Sequence, residues 1–162
     1  MADIVQKRPR ECSDIDLDAF EGLVKKGGEV ACQGLRGRIM KAEWLVFLFE
    51  MDRTLAGVAA LKKSDGTYKK EVFAEAKSEE NPDDSTFEAG WVFVEEQFRG
   101  KHYSRLLLDE VLRLADKKRV YATTRHDNKR MRQTNRRCGL KESGFPYTAT
   151  RGNYRLILYT NG

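Results

Sequence analysis

A mixed α/β fold is what the sequence predicts, and two observations carry it. Phe87–Val94 reads as a strand that leads through a short polar loop into an amphipathic helix with Leu107, Leu108, Val111, Leu112 and Ala115 on one side. Val120–Thr124 then reads as a second strand after the basic stop Lys117-Lys118-Arg119, so the unit is a strand–helix–strand crossover with parallel pairing.

The remaining elements follow in order. Ser13 is the expected cap of a first helix whose Leu17, Phe20, Leu23 and Val24 share a face, and Gly27-Gly28 stop it. Residues 29–41 stay unassigned, because Gly34 and Gly37 interrupt any helical pattern. Two apolar runs, Trp44–Met51 and Leu55–Lys62, form a hairpin around Asp52-Arg53, and a third extended run is expected near Glu71–Ala76 after a turn at Asp65-Gly66. Lys77–Thr86 is polar, acidic and contains Pro82, as a surface loop would. Beyond the crossover, a polar helix over Asn128–Cys138 is closed by Gly139, and Tyr154–Tyr159 supplies a last strand.

Length and composition bound the function. At 162 residues and 40% hydrophobic content the chain is expected to fold as one domain, residues 1–162, with a sizeable core. The three cysteines, Cys12, Cys32 and Cys138, are odd in number and widely spaced, which fits a reducing cytoplasm and no disulfide framework. The N-terminal stretch has charges and no apolar run, and Trp44–Phe49 is far short of the roughly 20 residues of a membrane span, so neither a leader nor a membrane is expected. Charge is uneven: residues 1–99 hold 15 Lys/Arg against 20 Asp/Glu, and residues 100–162 hold 15 against 5. A basic second half points to a polyanion, either nucleic acid or a phosphate-rich cofactor.

The loop Arg99-Gly100-Lys101-His102-Tyr103-Ser104-Arg105 opens onto a helix N-terminus, where unpaired N–H groups and the helix dipole favour phosphate. Its spacing is neither that of a P-loop nor that of a dinucleotide-binding fingerprint. The string Val94–Leu112 resembles motif A of the GNAT superfamily of N-acetyltransferases, in which Arg or Gln is followed by two residues, Gly, one residue, then Gly or Ala. Arg99 takes the first place, His102 that of the first Gly and Ser104 that of the second small residue. A second block of the family has Asn on a helix, a small residue three on, Tyr seven on and Gly-Phe at eleven and twelve; here Asn128, Met131, Asn135, Gly139 and Leu140 stand at those offsets.

The resemblance implies a central mixed antiparallel and parallel sheet flanked by helices, and acetyl-CoA as co-substrate. It implies transfer of the acetyl group to a primary amine of a small molecule, peptide or protein lysine, by direct attack through a tetrahedral intermediate. It places the backbone of Phe93 and Val94 on the pantetheine, Arg99, Gly100, Lys101, His102, Tyr103, Ser104 and Arg105 on the pyrophosphate, and Asn128 beside them. Glu88 matches a catalytic glutamate of some histone-type members, and its even separation from Val94 puts both side chains on one face of an unbroken strand. Asn135 stands where the family commonly has the acidic Tyr, so water or one of Tyr103, Tyr147 and Tyr154 would supply the proton, or Asn135 would hydrogen-bond the thiolate. His102, His126 and Cys138 lack zinc-ligand spacing, so no metal is expected. The alternative reading is a module of the same fold, weakened in chemistry or still an acetyltransferase, that acts on nucleic acid through its basic half; a homodimer is common in the superfamily.

Overall fold

The computed structural model describes residues 2–162. In chain order its main elements are β1 (Asp3–Lys7), α1 (Asp14–Gly27), α2 (Leu35–Met40), β2 (Trp44–Phe49), β3 (Leu55–Lys63), α3 (Gly66–Glu75), β4 (Ser85–Val94), α4 (Tyr103–Leu114), β5 (Arg119–Arg125), α5 (Lys129–Arg137), β6 (Lys141–Glu142), β7 (Tyr147–Thr148) and β8 (Arg155–Thr160). The strands order as β1-β2-β3-β4-β5-β8-β6, with β7 on β8. β4 pairs in parallel with β5, as the crossover predicts, and β1–β2, β2–β3 and β5–β8 are antiparallel. The mixed α/β class is therefore observed.

The chain forms two compact units, one holding everything up to Lys62 together with Ala89–Leu114, the other Lys63–Glu88 together with Ala115–Gly162. In the first, α1 is capped by Ser13, whose hydroxyl accepts from the Asp16 N–H while the Asp16 carboxylate accepts from the Ser13 N–H. That helix buries Leu17, Phe20, Leu23 and Val24 with Leu35 and Ile39 of α2 against Leu45, Phe47, Val58 and Ala60 of the sheet. Phe20 meets Phe47 edge-on at 5.5 Å between centroids. α4 packs against β2 and buries Leu107, Leu108 and Val111.

In the second unit, Val72 and Phe73 of α3 and Ala76, its C-cap, bury with Tyr121 and Leu158. The acidic loop before β4 is tied down by Glu80, whose carboxylate accepts from the hydroxyls of Ser143 and Thr160. Buried Lys69 donates its Nζ to the Ser85 carbonyl at 2.7 Å.

One reading of the sequence is corrected here. The run near Glu71–Ala76 is helical, not extended, because Asp65 caps it by accepting from the Thr67 and Tyr68 N–H groups, and because Val72, Phe73 and Ala76 lie on one helical stripe. In the N-terminal stretch, to which the sequence pattern assigns no element, Asp3–Lys7 forms β1 and pairs antiparallel with β2. Within residues 29–41, only Leu35–Met40 is helical.

Candidate active site

β4 is the strand that leads into the loop, and its backbone is broken in the middle. Trp91 adopts φ 53, a left-handed value that a tryptophan in a regular strand avoids. The pleat is interrupted between Glu88 and Val94, so their even separation does not place them on one face. Gly90 was the sequence signal for this, since a lone glycine inside a strand marks a bulge. Trp91 also buries its indole N–H without a partner among the described residues, and Lys62 sits 4.5 Å over its ring. Past the break, Phe93 packs with Trp91 on the α1 and α2 core, while Val94 faces Gly57 and Leu107.

The loop after β4 turns on Gly100 at φ 88 and His102 at φ 62. Glycine takes such a value without strain, and histidine is among the few other residues that tolerate it. The His102 imidazole is exposed, so the departure from the family's glycine is absorbed by solvent. Its carbonyl accepts the first bond of α4, from the Leu106 N–H, at the helix end where the dipole is positive.

The basic side chains of this loop fold back onto the protein. Arg99 donates its Nε to the Val94 carbonyl at 3.1 Å and lies 5.7 Å from the Phe93 ring. Lys101 reaches Glu50 at 3.5 Å, and Arg105 reaches Asp109 at 3.8 Å. Tyr103, buried, donates its hydroxyl to the Glu50 carboxylate at 2.6 Å, and that bond pushes its phenol pKa up. These side chains of the loop are thus engaged by protein partners, and the loop's backbone turns onto the start of α4. Glu50 was not legible in the sequence, because it meets the loop from 53 residues away.

In the second unit, Glu88 is buried and stands opposite Tyr121 in the parallel register of β4 and β5. Its charge reaches the phenols of Tyr68, Tyr121 and Tyr147. Tyr121 is fully buried, near the Ser64 hydroxyl at 3.4 Å, and burial first and the Glu88 charge second push its pKa up. The same two causes, in the same order, raise Tyr68. Tyr147 is raised by burial, and its hydroxyl has no partner among the described residues. These phenols hold their protons at neutral pH. Tyr154 lies under the Arg125 guanidinium at 3.7 Å.

Asn128 caps α5, its side-chain oxygen accepting from the Met131 N–H at 3.1 Å, so that oxygen is already engaged. Asn135 is fully buried and donates its Nδ2 to the Thr124 hydroxyl at 2.9 Å, while its Oδ1 has no partner among the described residues. α5 exposes Lys129, Arg130, Arg136 and Arg137 to solvent. No group of three or more His, Cys, Asp or Glu side chains gathers into a metal cluster among the described residues. Nor is any helix among them long and apolar enough to cross a membrane.

The family model for the acetyltransferase (GNAT) family matches residues 14–140. No curated protein sequence matches the chain. Among solved structures it is similar to an acyl-CoA N-acyltransferase from Pseudomonas aeruginosa, at 15% identity and TM-score 0.73, with all of both chains covered. ElaA of Escherichia coli is similar at 18% identity and TM-score 0.69, over 98% of this chain and 99% of that one. The ribosomal-protein-S18-alanine N-acetyltransferase of Escherichia coli is similar at 13% identity and TM-score 0.67, over 99% and 92%. At these identities the likeness is one of fold.

Proposed function

Because the chain belongs to the acetyltransferase (GNAT) family, whose members are acyl-CoA-dependent N-acyltransferases, we propose that it moves an acetyl group from acetyl-CoA to a primary amine. The observation that carries this is the Arg99–Arg105 loop, with two left-handed residues turning it onto the N-terminus of α4. The family match runs through both compact units, which supports reading the chain as one acetyltransferase domain over residues 1–162. Three cysteines that form no disulfide with one another support a reducing, cytoplasmic setting.

The residues present suit acetyl-CoA: first-turn N–H groups and Lys101 and Arg105 complement a pyrophosphate. Bound acetyl-CoA would supply the activated acyl group. The chain's own part is to position and to move protons. The Phe93 and Val94 backbone orients the pantetheine, and Glu88 accepts, through water, the proton that the attacking ammonium nitrogen sheds. The carboxylate beside the phenols of Tyr68, Tyr121 and Tyr147 suits a cationic acceptor and disfavours an anionic one. A small-molecule amine, a peptide N-terminus and a protein lysine all meet that requirement.

Calorimetric titration with acetyl-CoA, followed by thiol release across a panel of amines, tests this reading. Saturable binding that Gly100→Trp abolishes, with CoA released only when an amine is present, is the expected result. A folded protein giving no heat at millimolar acetyl-CoA would overturn it.

A further inference from the structure

We propose that Glu50 is a positioning residue for the diphosphate of acyl-CoA: it anchors the start of α4 through Tyr103 and withholds Lys101 until an anion draws it away. The inference rests on the acetyl-CoA reading and adds to it a residue outside the loop that sets how strongly the loop binds.

Glu50 is fixed before the loop reaches it. It closes the β2–β3 turn, its N–H donating to the Thr54 carbonyl at 2.8 Å and its own carbonyl accepting from the Arg53 N–H at 2.9 Å. Its side chain is only 17% exposed and serves two partners from one oxygen, the Tyr103 hydroxyl at 2.6 Å and the Lys101 Nζ at 3.5 Å. Tyr103 is the first residue of α4, so its bond fixes the turn whose N–H groups would face a phosphate. Lys101 is half exposed and also near the Phe98 and Tyr103 rings, at 5.4 and 5.8 Å.

A carboxylate beside an anion site opposes the anion by Coulomb repulsion and occupies a cation that would otherwise bind it. The two partners differ in what they ask of Glu50. A phenol O–H needs only an acceptor, which an amide oxygen also provides; the ammonium needs the charge. Exposed pairs of this kind are weak, so a diphosphate with more than one charge outcompetes the carboxylate for Lys101. Glutamine at position 50 should therefore keep the loop shape and release the lysine.

The test is acetyl-CoA affinity by calorimetry for the wild type, Glu50→Gln, Glu50→Ala, Lys101→Met and the Glu50→Gln/Lys101→Met pair, each at low and high salt. Glu50→Gln is expected to tighten binding about three-fold at low salt, the scale of an exposed ion pair, and the gain should shrink at high salt. In the Lys101→Met background most of the gain should vanish, and Glu50→Ala, which also frees Tyr103, should weaken binding. Wild-type binding with Glu50→Gln unchanged or weaker, or a gain of equal size without Lys101, overturns the role of Glu50 and leaves the cofactor reading standing. A wild type that does not bind acetyl-CoA overturns both.

Discussion

Gly57 of β3 lies so close to the Phe93 carbonyl that a Cβ added there would stand 2.9 Å from the oxygen, and 3.0 Å from a Leu107 methyl. One obstacle is backbone, which has nowhere to go, and the other is a buried side chain of α4. Gly57→Ala must therefore shift β4 at the residue assigned to pantetheine. Overpacking of this kind costs about 1–3 kcal/mol, and denaturant unfolding should show it. The acetyl-CoA affinity should fall by more than in a variant of equal stability elsewhere, such as Ile39→Val. Equal affinities in the two would remove β4 geometry from cofactor binding.

Glu88 should separate chemistry from binding. Glu88→Gln keeps the shape of a buried side chain opposite Tyr121 but removes the proton acceptor. Loss of a general base lowers turnover by about 100-fold or more. Steady-state kinetics should show that fall in kcat with acetyl-CoA affinity within two-fold of wild type, roughly the noise of a conservative change. Unchanged kcat would exclude Glu88 as the base.

The parts of the fold that local chemistry decides could be read from the chain. Ser13 and Gly27-Gly28 bracket α1, and the crossover through β4, α4 and β5 follows from periodicity alone. α3 was misread because Val72 and Phe73 favour strands by propensity, while the Asp65 cap and the spacing to Ala76 favour a helix, and the cap won. The turn of the loop onto a helix N-terminus was legible, but the direction of its cations was not. Arg99 turns to a carbonyl five residues back, and Lys101 to a carboxylate 51 residues away, contacts that only the folded chain creates. Glu88 is read from one strand, whereas the phenols that feel its charge come from α3, β5 and β7.

Asn135 marks the clearest departure from the family pattern, and its surroundings say that the departure is not a single exchange. The side chain is fully buried, bonded to Thr124, and next in sequence to buried Thr134. Asn135→Tyr would insert a phenol ring into this packed space, so it should destabilise the fold by about 1–3 kcal/mol and should not raise turnover. Thermal unfolding and kcat together check this. A stable Asn135→Tyr variant with higher kcat would show that the missing acid alone limits the enzyme.

Glu80 offers the sharpest contrast between a sequence-level and a structural reading of charge. The acidic loop, with Glu79, Glu80, Asp83 and Asp84, invites the idea of a field that attracts a cationic amine. Glu80 has another task. Its carboxylate accepts from the Thr160 hydroxyl at 2.8 and 3.1 Å and from the Ser143 hydroxyl, its N–H donates to the Ser78 hydroxyl at 3.1 Å, and Ser78 and Ser143 share a bond of 2.6 Å. Ser143 and Thr160 are buried, so water cannot readily replace the carboxylate. Hydrogen bonds to a charged group contribute about 1.5–3 kcal/mol each, and partial relaxation of two hydroxyls puts the cost of Glu80→Ala at about 2–4 kcal/mol. Glu80→Gln keeps one acceptor oxygen and should cost about half as much. Denaturant unfolding measures both, while the Michaelis constant for a cationic amine should move less for Glu80→Gln than for Asp83→Asn, whose exposed carboxylate is part of the solvent-facing field. The reverse order would mean that Glu80, despite its bonds, supplies the field.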